Sequence, residues 1–406
     1  MPEVNPELLR WARETAGLAL EDAASGLGID EARGVPGPER LAALEAGNGS
    51  PSRPTLLRMA KLYRRPLLAF YLPEPPRTGE RGHDFRTLPP DHSVRDVALV
   101  DTLIRDVRAR QSMVRALLEA EDEAKPLAFV GSISRDDGVP AVLASITKTL
   151  GLDLSRYRNG VAGDRTAKRG FPYLRERAEA VGIFVLLIGN LGSHHSALDV
   201  EAFRGFALAD PIAPFVVIND QDAETAWSFT LMHELAHIWL GETGVSGANP
   251  TSAIEQFCND VAGSFLLPTT ELAGEARLLG ATVETVKERI GEIADRWGVS
   301  HSLVAYKLHR EGMITREVWS QLSGFYRQRW RASRQAERDR SRDRDGGPSY
   351  YVIRRHRLGA RLVGLAGRML ADGALSPSKA ARLMGVKPGS VFGLIDASSG
   401  PAGRAA

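Results

Sequence analysis

The chain has 406 residues, which at roughly 100 to 200 residues per domain predicts two to four domains. Hydrophobic residues make up 43% and charged residues 25% of the sequence, which excludes collagen-like, wholly disordered and disulfide-scaffold proteins. The 52 basic and 50 acidic residues leave a net charge of +2, so no global attraction to nucleic acid or anionic membranes is expected. Any role in binding nucleic acid must therefore be local.

The cysteine content and the apolar runs indicate a compartment. The single cysteine, Cys258, cannot form an intrachain disulfide. The opening segment MPEVNPELLRWARE lacks the apolar core of a signal peptide, and the longest apolar run, residues 182–189, is far shorter than the ~20 residues that span a bilayer. We expect a cytoplasmic protein with no membrane association.

The N-terminal residues predict a small helical module. Apolar residues recur at helical spacing between residues 6 and 27, with breaks near Gly17 and Gly26, and further helices are expected at 39–46 and 55–63. The segments LLRWARETAGL, EDAASGLG, RLAALEAG and TLLRMAKLYRRPLLAFYLP together resemble the XRE-type helix-turn-helix. This resemblance implies a DNA-binding module.

In that resemblance residues 20–26 would be the first helix of the motif and residues 38–46 the recognition helix. The segment between them is longer than the usual turn, and residues 1–78 hold ten acidic and ten basic side chains. A helical module for docking or dimerisation is therefore the alternative to DNA binding.

The middle and the C-terminal part alternate between connector, sheet and helix. Proline and glycine crowd residues 73–90, and a long amphipathic helix is predicted at 94–123. Short runs rich in Val, Ile and Phe predict strands at 182–188, 203–209 and 214–219. A helical pattern follows from residue 223 to 330, then an arginine-rich solvated helix or linker at 327–345, and helical periodicity at 358–394.

The most informative segment is TLMHELAHIWLG, which contains the pattern H-E-x-x-H. With Asp220 or Asp222 as N-cap and Gly241 as the stop, it predicts a helix of about five turns. His233 and His237 then lie one turn apart on one face and can bind one zinc ion, while Glu234 can reach water instead of the metal. This is the signature of zinc metalloproteases.

A third ligand is expected on a following helix. Glu255 stands eighteen residues after His237 and is the predicted carboxylate ligand, with Asp260 as the alternative. Asn259 shares a helix face with Glu255 and could orient a ligand from behind. Cys258 is interpreted as a small buried hydrophobic residue in preference to a zinc ligand.

These residues resemble the ImmA/IrrE family of metallo-endopeptidases. The likeness rests on FRGFA at residues 203–207, on SFTLMHELAH at 228–237, and on the segment from Glu255 to Pro268. It implies that His233, His237 and Glu255 are zinc ligands and that Glu234 is the general base. It also implies a protein substrate, namely a partner transcriptional repressor of the XRE type that is inactivated by cleavage, with a role in stress response.

Several assignments stay open in the sequence. The oxyanion could be stabilised by His194, His195, His301 or Tyr306. The basic residues 354–357 could bind phosphates or an acidic protein segment, or could form a solvated basic face. Homodimerisation is possible on these data. The alternative function is a DNA-binding transcription regulator with a structural or vestigial zinc site, and a toxin–antitoxin or phage-related component is a third reading.

We expect an α+β, mostly helical fold built around a zincin core with a small sheet. The predicted parts are a helix-turn-helix-like domain (1–78), a linker and helical connector (79–155), a zinc metallopeptidase core (156–275), a helical extension (276–330), and a charged linker with a C-terminal helical region (331–406).

Overall fold

The computed structural model describes residues 3–76, 93–159, 170–192, 196–246, 253–341 and 349–396. The chain divides into two compact units, one of residues 1–109 with 190–203 and the other of residues 110–189 with 204–406. None of the described helices combines the length and the apolar character needed to cross a lipid bilayer. The predicted proline-rich linker falls largely on residues 77–92, which lie outside the described ranges.

The first unit begins with a helical module. Its elements are α1 (Pro6–Thr15), α2 (Leu20–Leu27), α3 (Gly37–Glu45), α4 (Arg53–Leu62) and a 3₁₀ turn (Leu67–Tyr71). The helices predicted for the motif are therefore present as α2 and α3, separated by residues 28–36. In the core, the buried Arg13 guanidinium donates to both carboxylate oxygens of Glu45, at 2.8 and 2.9 Å, and so ties α1 to α3.

The long amphipathic helix predicted at 94–123 is present as α5 (Val94–Ala120). Three helices follow it in the chain: α6 (Gly138–Leu150), α7 (Leu154–Asn159) and α8 (Phe171–Ala180), with a 3₁₀ turn (Arg135–Asp137) before α6. Proline stands in the first turn of α8, where its missing N–H costs no helical hydrogen bond.

The sheet of the second unit has four strands in the order β1-β3-β2-β4. Its strands are β1 (Phe184–Leu187), β2 (Gly205–Leu208), β3 (Phe215–Ile218) and β4 (Gly244–Ser246). The three predicted strands are confirmed. Strand β3 pairs parallel to β1 and antiparallel to β2, with Phe184 opposite Phe215 and Gly205 opposite Ile218. Every residue of these three strands is buried, so they form the centre of the core.

Helix α9 (Glu224–Leu240) packs on β2 and β3 and is followed by α10 (Ala253–Leu266). Gly241 ends α9 in a left-handed conformation (φ 72°), as predicted. The predicted Asp cap is wrong, because the N-cap residue is Ala223 and provides no side-chain hydrogen bond. The Asp222 carboxylate is engaged by the Ala223 N–H and by Arg204, and Asp220 pairs with Arg357.

Helices complete the second unit. They are α11 (Val283–Trp297), α12 (His301–Arg310), α13 (Arg316–Ser341), α14 (Tyr350–Leu358), α15 (Ala360–Ala371), α16 (Pro377–Met384) and α17 (Val391–Asp396), with 3₁₀ turns at Thr269–Leu278 and Pro388–Ser390. The arginine-rich stretch continues α13 to residue 341, and its remainder lies outside the described residues. The α+β, mostly helical fold with a small sheet against α9 is confirmed.

Two buried side chains join the C-terminal helices to the core. Arg175 of α8 donates to the carbonyls of Val185 and His356, both at 2.5 Å, and to Glu179. The Glu179 carboxylate in turn accepts hydrogen bonds from the backbone N–H groups of Ala360 and Arg361 at the start of α15. Burial lowers the pKa of the Arg175 guanidinium and raises that of the Glu179 carboxyl, while each partner opposes the effect on the other.

Candidate metal centre

The candidate site is built on α9, a helix enclosed on almost all of its surface. Residues 230–239 are buried without interruption, because α6, α8 and α10 cover the sides that the sheet does not. Two tryptophans pack against neighbouring aromatic rings at the two ends of α9. Trp239 stacks on Phe129 with ring centroids 4.5 Å apart and donates to Ser145, and Trp227 packs edge-on against Phe171 at 5.3 Å. The side chains of α9 are therefore held in a rigid setting.

His233, His237 and Glu255 converge at one point. The Nε2 atoms of the two histidines lie 3.1 Å apart. The Glu255 carboxylate of α10 reaches both rings, with Oε2 3.2 Å from His233 Nε2 and Oε1 3.2 Å from His237 Nε2. Both imidazoles are buried, so three potential metal donors meet in a place with little access to bulk water.

Asn259 lies behind one of the two imidazoles. Its Oδ1 is 2.9 Å from His233 Nδ1, which donates the hydrogen bond when Nε2 carries the free lone pair. This contact sets the tautomer that a metal ligand requires and fixes the plane of the ring. The buried Nδ1 of His237 has no hydrogen-bond partner among the residues that the structure describes, so this ring is oriented by its packing and by the contacts of its Nε2 atom.

The electrostatics of Glu255 match a ligand carboxylate. Burial by itself would raise the pKa of this carboxyl, but its close contacts with His233 and His237 outweigh burial and hold the pKa well below its ordinary value. The carboxylate is therefore ionised at neutral pH and is directed toward both rings. An ionised oxygen donor beside two imidazoles is a donor set typical of zinc sites.

Glu234 is fully buried and lies against strand β2. A methyl group at Gly205 would lie 2.8 Å from Glu234 Oε1 and 2.5 Å from Thr230 Cγ2. The sheet thus approaches α9 so closely at this point that only glycine leaves room for the carboxylate. Sequence reasoning used this glycine as part of a family likeness and missed its steric role, which depends on the contact between β2 and α9.

Cys258 is a second neighbour of the histidines. Its side chain is completely buried, and its sulfur lies within 4.8 Å of donor nitrogens of His233 and His237. The structure therefore offers two side chains for a third ligand position, the carboxylate of Glu255 and the thiol of Cys258. The carboxylate contacts both rings directly, which favours it over the sulfur.

Asp260 and Tyr306 are engaged with each other. The Tyr306 hydroxyl donates to Asp260 Oδ1 at 2.7 Å, and Arg310 donates to the same carboxylate. Burial, followed by the bond to Asp260, raises the pKa of Tyr306, so this phenol stays protonated. These contacts join α10 to α12.

His301 lies on α12 with its ring 5.3 Å from that of Tyr326, and burial lowers its pKa. The two remaining candidates for oxyanion stabilisation, His194 and His195, fall outside the described residues.

A cavity of about 570 Å³ opens beside the C-terminal end of α9. It is lined by residues 131–137 together with Leu240, Glu242 and Ile254. Leu240 follows His237 by three residues and Ile254 directly precedes Glu255, but His233, His237 and Glu255 are not among the lining residues. Its volume is in the range of ligand pockets, about 300–1,000 Å³, and can hold side chains of a bound peptide.

Residues 179–309 match the family model of Peptidase_M78, described as the IrrE N-terminal-like domain. This range contains β1–β4, α9 and α10, and thus the whole convergence point, and it continues through α11 into α12. The ImmA/IrrE resemblance is confirmed for this segment, which is about a third of the chain. Comparisons with curated proteins and with solved structures gave no significant match.

Proposed function

From the IrrE N-terminal-like domain at residues 179–309, we propose that this protein is a zinc-dependent endopeptidase that cleaves a partner protein. A transcriptional repressor of the XRE type is the proposed substrate. The observation that carries the proposal is the convergence of His233 Nε2, His237 Nε2 and the Glu255 carboxylate at separations of 3.1–3.2 Å.

These distances fit a zinc ion. Four ligands arranged tetrahedrally at about 2.0 Å from a metal lie about 3.3 Å from one another. The three separations are within 0.2 Å of that value, although hydrogen bonds alone can also hold such groups near 3 Å, so the donor chemistry must agree as well. Two imidazoles and one carboxylate are the protein ligands of catalytic zinc sites that leave a fourth position open.

His233, His237 and Glu255 would hold the ion, with Asn259 keeping the His233 lone pair directed inward. When bound, zinc supplies Lewis acidity, which acidifies water and polarises a carbonyl group. Glu234 accepts the proton of the attacking water and then returns it to the amine of the leaving peptide. The cavity at the C-terminal end of α9 is the proposed place for side chains of the substrate.

The test measures metal content and cleavage on the same preparations of the full chain. We expect about one zinc per wild-type chain, and most of it should be lost in His237→Ala because two remaining ligands bind weakly. Glu234→Gln retains volume and hydrogen bonding but cannot accept a proton. It should keep its zinc and cleave about 10²–10⁴ times more slowly.

The substrates are a proteome-derived peptide library and the XRE-type repressor encoded nearest to the gene, both analysed by mass spectrometry. Wild-type cleavage by Glu234→Gln would contradict the general-base role. Loss of zinc from Glu234→Gln would instead indicate that this carboxylate is structural, and undiminished zinc in His237→Ala would refute the ligand assignment.

A further inference from the structure

Helices α15, α16 and α17 form a small three-helix unit at the C-terminal end of the described chain. The buried apolar residues of these helices and of the turns between them are Leu362, Val363, Ala366, Met369, Leu375, Ala380, Ala381, Leu383, Met384, Val391 and Leu394. Helix α16 begins at the Ser376 cap, which accepts a hydrogen bond from the Lys379 N–H. A short turn then leads through the 3₁₀ segment into α17, so that α16 and α17 follow one another as helix, turn and helix.

The turn between α16 and α17 has the residue types and the backbone conformation of a helix-turn-helix motif. Gly385 takes a left-handed conformation (φ 62°) at the end of α16, which lets the chain reverse directly into the second helix. The small residue Ala381 is buried one turn before it, where two helices can approach closely. Val391 and Leu394 of the second helix are buried as well.

Helices α11 and α12 repeat this pattern and provide an internal comparison. Ala294 is buried, Gly298 ends α11 in a left-handed conformation (φ 62°), and Val304 is buried in α12. However, α12 is held against α10, since Tyr306 and Arg310 both bind the carboxylate of Asp260. The second helix of that pair is therefore used for packing. In α17, by contrast, Phe392 is 56% exposed.

Residues 349–396 carry an excess of positive charge. Residues 349–396 contain eight basic and two acidic side chains, whereas the whole protein has a net charge of only +2. Some of these cations serve the fold: Arg354 donates to the carbonyls of Met384 and Gly385, and Arg357 pairs with Asp220. Residues 354–357 thus include two side chains that anchor the region, as opposed to a wholly solvated basic face.

Three other cations have no such role. Lys379, Arg382 and Lys387 are exposed and form no ion pair with any residue in the described ranges. Lys379 and Arg382 are three residues apart on α16 and share a face, and Lys387 lies in the turn that precedes the second helix. A row of exposed cations along a helix-turn-helix is the electrostatic footprint of a phosphate-binding surface.

We propose that the helix-turn-helix of α16 and α17 binds double-stranded DNA through the phosphate backbone. The exposed positions at the start of the second helical segment are Pro388, Gly389 and Phe392, none of which can donate or accept a side-chain hydrogen bond at a base edge. The binding is therefore directed at phosphates and is independent of sequence. It would place the peptidase on DNA, where repressors reside, but it does not require the peptidase activity.

The test is fluorescence anisotropy of the full chain with two labelled 20-base-pair duplexes of unrelated sequence, over a range of salt concentrations. We expect both duplexes to bind with similar dissociation constants, on the order of 10⁻⁶ to 10⁻⁴ M at physiological salt. The double variant Lys379→Glu, Arg382→Glu should bind at least about tenfold more weakly. The slope of log affinity against log salt should fall by about two, one for each lost phosphate contact.

The matched control is Arg58→Glu, Lys61→Glu on α4, which also replaces two exposed cations three residues apart. This control should bind like the wild type. Equal affinities of wild type and the α16 variant, loss of binding only in the α4 variant, or equal binding of duplex and single strand would each overturn the proposal.

A circular-dichroism melting curve identifies any variant that fails to fold, in which case Lys379→Gln, Arg382→Gln replaces it. That milder variant should lose less affinity but show the same fall in salt slope, and an unchanged slope would count against the proposal.

Discussion

Replacement of Gly205 by alanine tests whether the sheet positions Glu234, the proposed general base. The new methyl group would lie 2.5 Å from Thr230 Cγ2, 2.8 Å from Glu234 Oε1 and 3.1 Å from the Val217 carbonyl oxygen. Because carbon atoms pack best at about 3.5–4.0 Å, the Thr230 and Glu234 side chains must retreat by on the order of 0.5–1 Å. Strand β2 cannot yield easily, since it is hydrogen-bonded to β3 on one side and β4 on the other.

Two magnitudes follow from this crowding. Overpacking of a core costs typically about 1–3 kcal/mol of unfolding free energy. A displacement near 1 Å of a catalytic group can reduce the rate by about 10²-fold. Gly205→Ala should therefore be moderately destabilised and cleave roughly 10- to 100-fold more slowly, while zinc content stays near that of the wild type because none of the three atoms nearest to the new methyl group belongs to His233, His237 or Glu255.

The assay combines denaturant unfolding, zinc determination and peptide cleavage on one preparation. Gly291→Ala is the matched control, because a methyl group in that position of α11 meets no atom within 4 Å. That substitution should stabilise the helix by about 0.5–1 kcal/mol and leave cleavage unchanged. If Gly205→Ala were as stable and as active as the wild type, the positioning of Glu234 by β2 would be wrong.

Three further predictions concern the groups around the site and the core. Asn259→Ala should weaken zinc affinity by about 10- to 100-fold, measured by competition with a chelating dye, because the imidazole that it orients becomes mobile; unchanged affinity would exclude the orienting role. With cobalt in place of zinc, Glu255→Gln should lose most of the bound metal, whereas Cys258→Ser should keep it with an unchanged absorption spectrum. A thiolate-to-cobalt charge-transfer band that disappears in Cys258→Ser would instead identify the sulfur as a ligand. Glu179→Gln should lower the free energy of unfolding by about 3–5 kcal/mol, measured with a denaturant, because the buried Arg175 guanidinium loses its counter-charge. The control Glu123→Gln, which breaks an exposed ion pair, should change that free energy little, and equal effects of the two substitutions would refute the argument.

The core of the site could be predicted because it depends on local spacing. Two histidines one turn apart require only that residues 224–240 form a helix, and the buried strands β1–β3 are short runs of strongly apolar residues. Glu255 was also predicted to lie near the two histidines, and the structure places its carboxylate beside both rings. The histidine pair and the strands need only one period of a helix or strand, whereas Glu255 was expected from the ligand set of such zinc sites.

Features that depend on tertiary contacts could not be predicted from the sequence. Strand β4 has three residues and no apolar run, so its pairing with β2 leaves no pattern in the sequence. The Asp222 carboxylate is typical of a helix cap, but it is drawn instead to Arg204 and to the Ala223 N–H. Likewise, Arg175 and Glu179 four residues apart suggest a solvated helix face, although both are buried.

The hydrogen bonds of Arg175 and Glu179 bear on how the chain folds during its synthesis. The partners of these buried charges include the His356 carbonyl and the N–H groups of Ala360 and Arg361, which emerge from the ribosome long after the two side chains themselves. Until then the nascent core contains an ion pair that lacks part of its hydrogen bonding. A fragment trimmed to the matched range 179–309 also omits Arg175, so it should be prone to aggregation, and expression of a folded domain calls for boundaries that extend from α6 to α15.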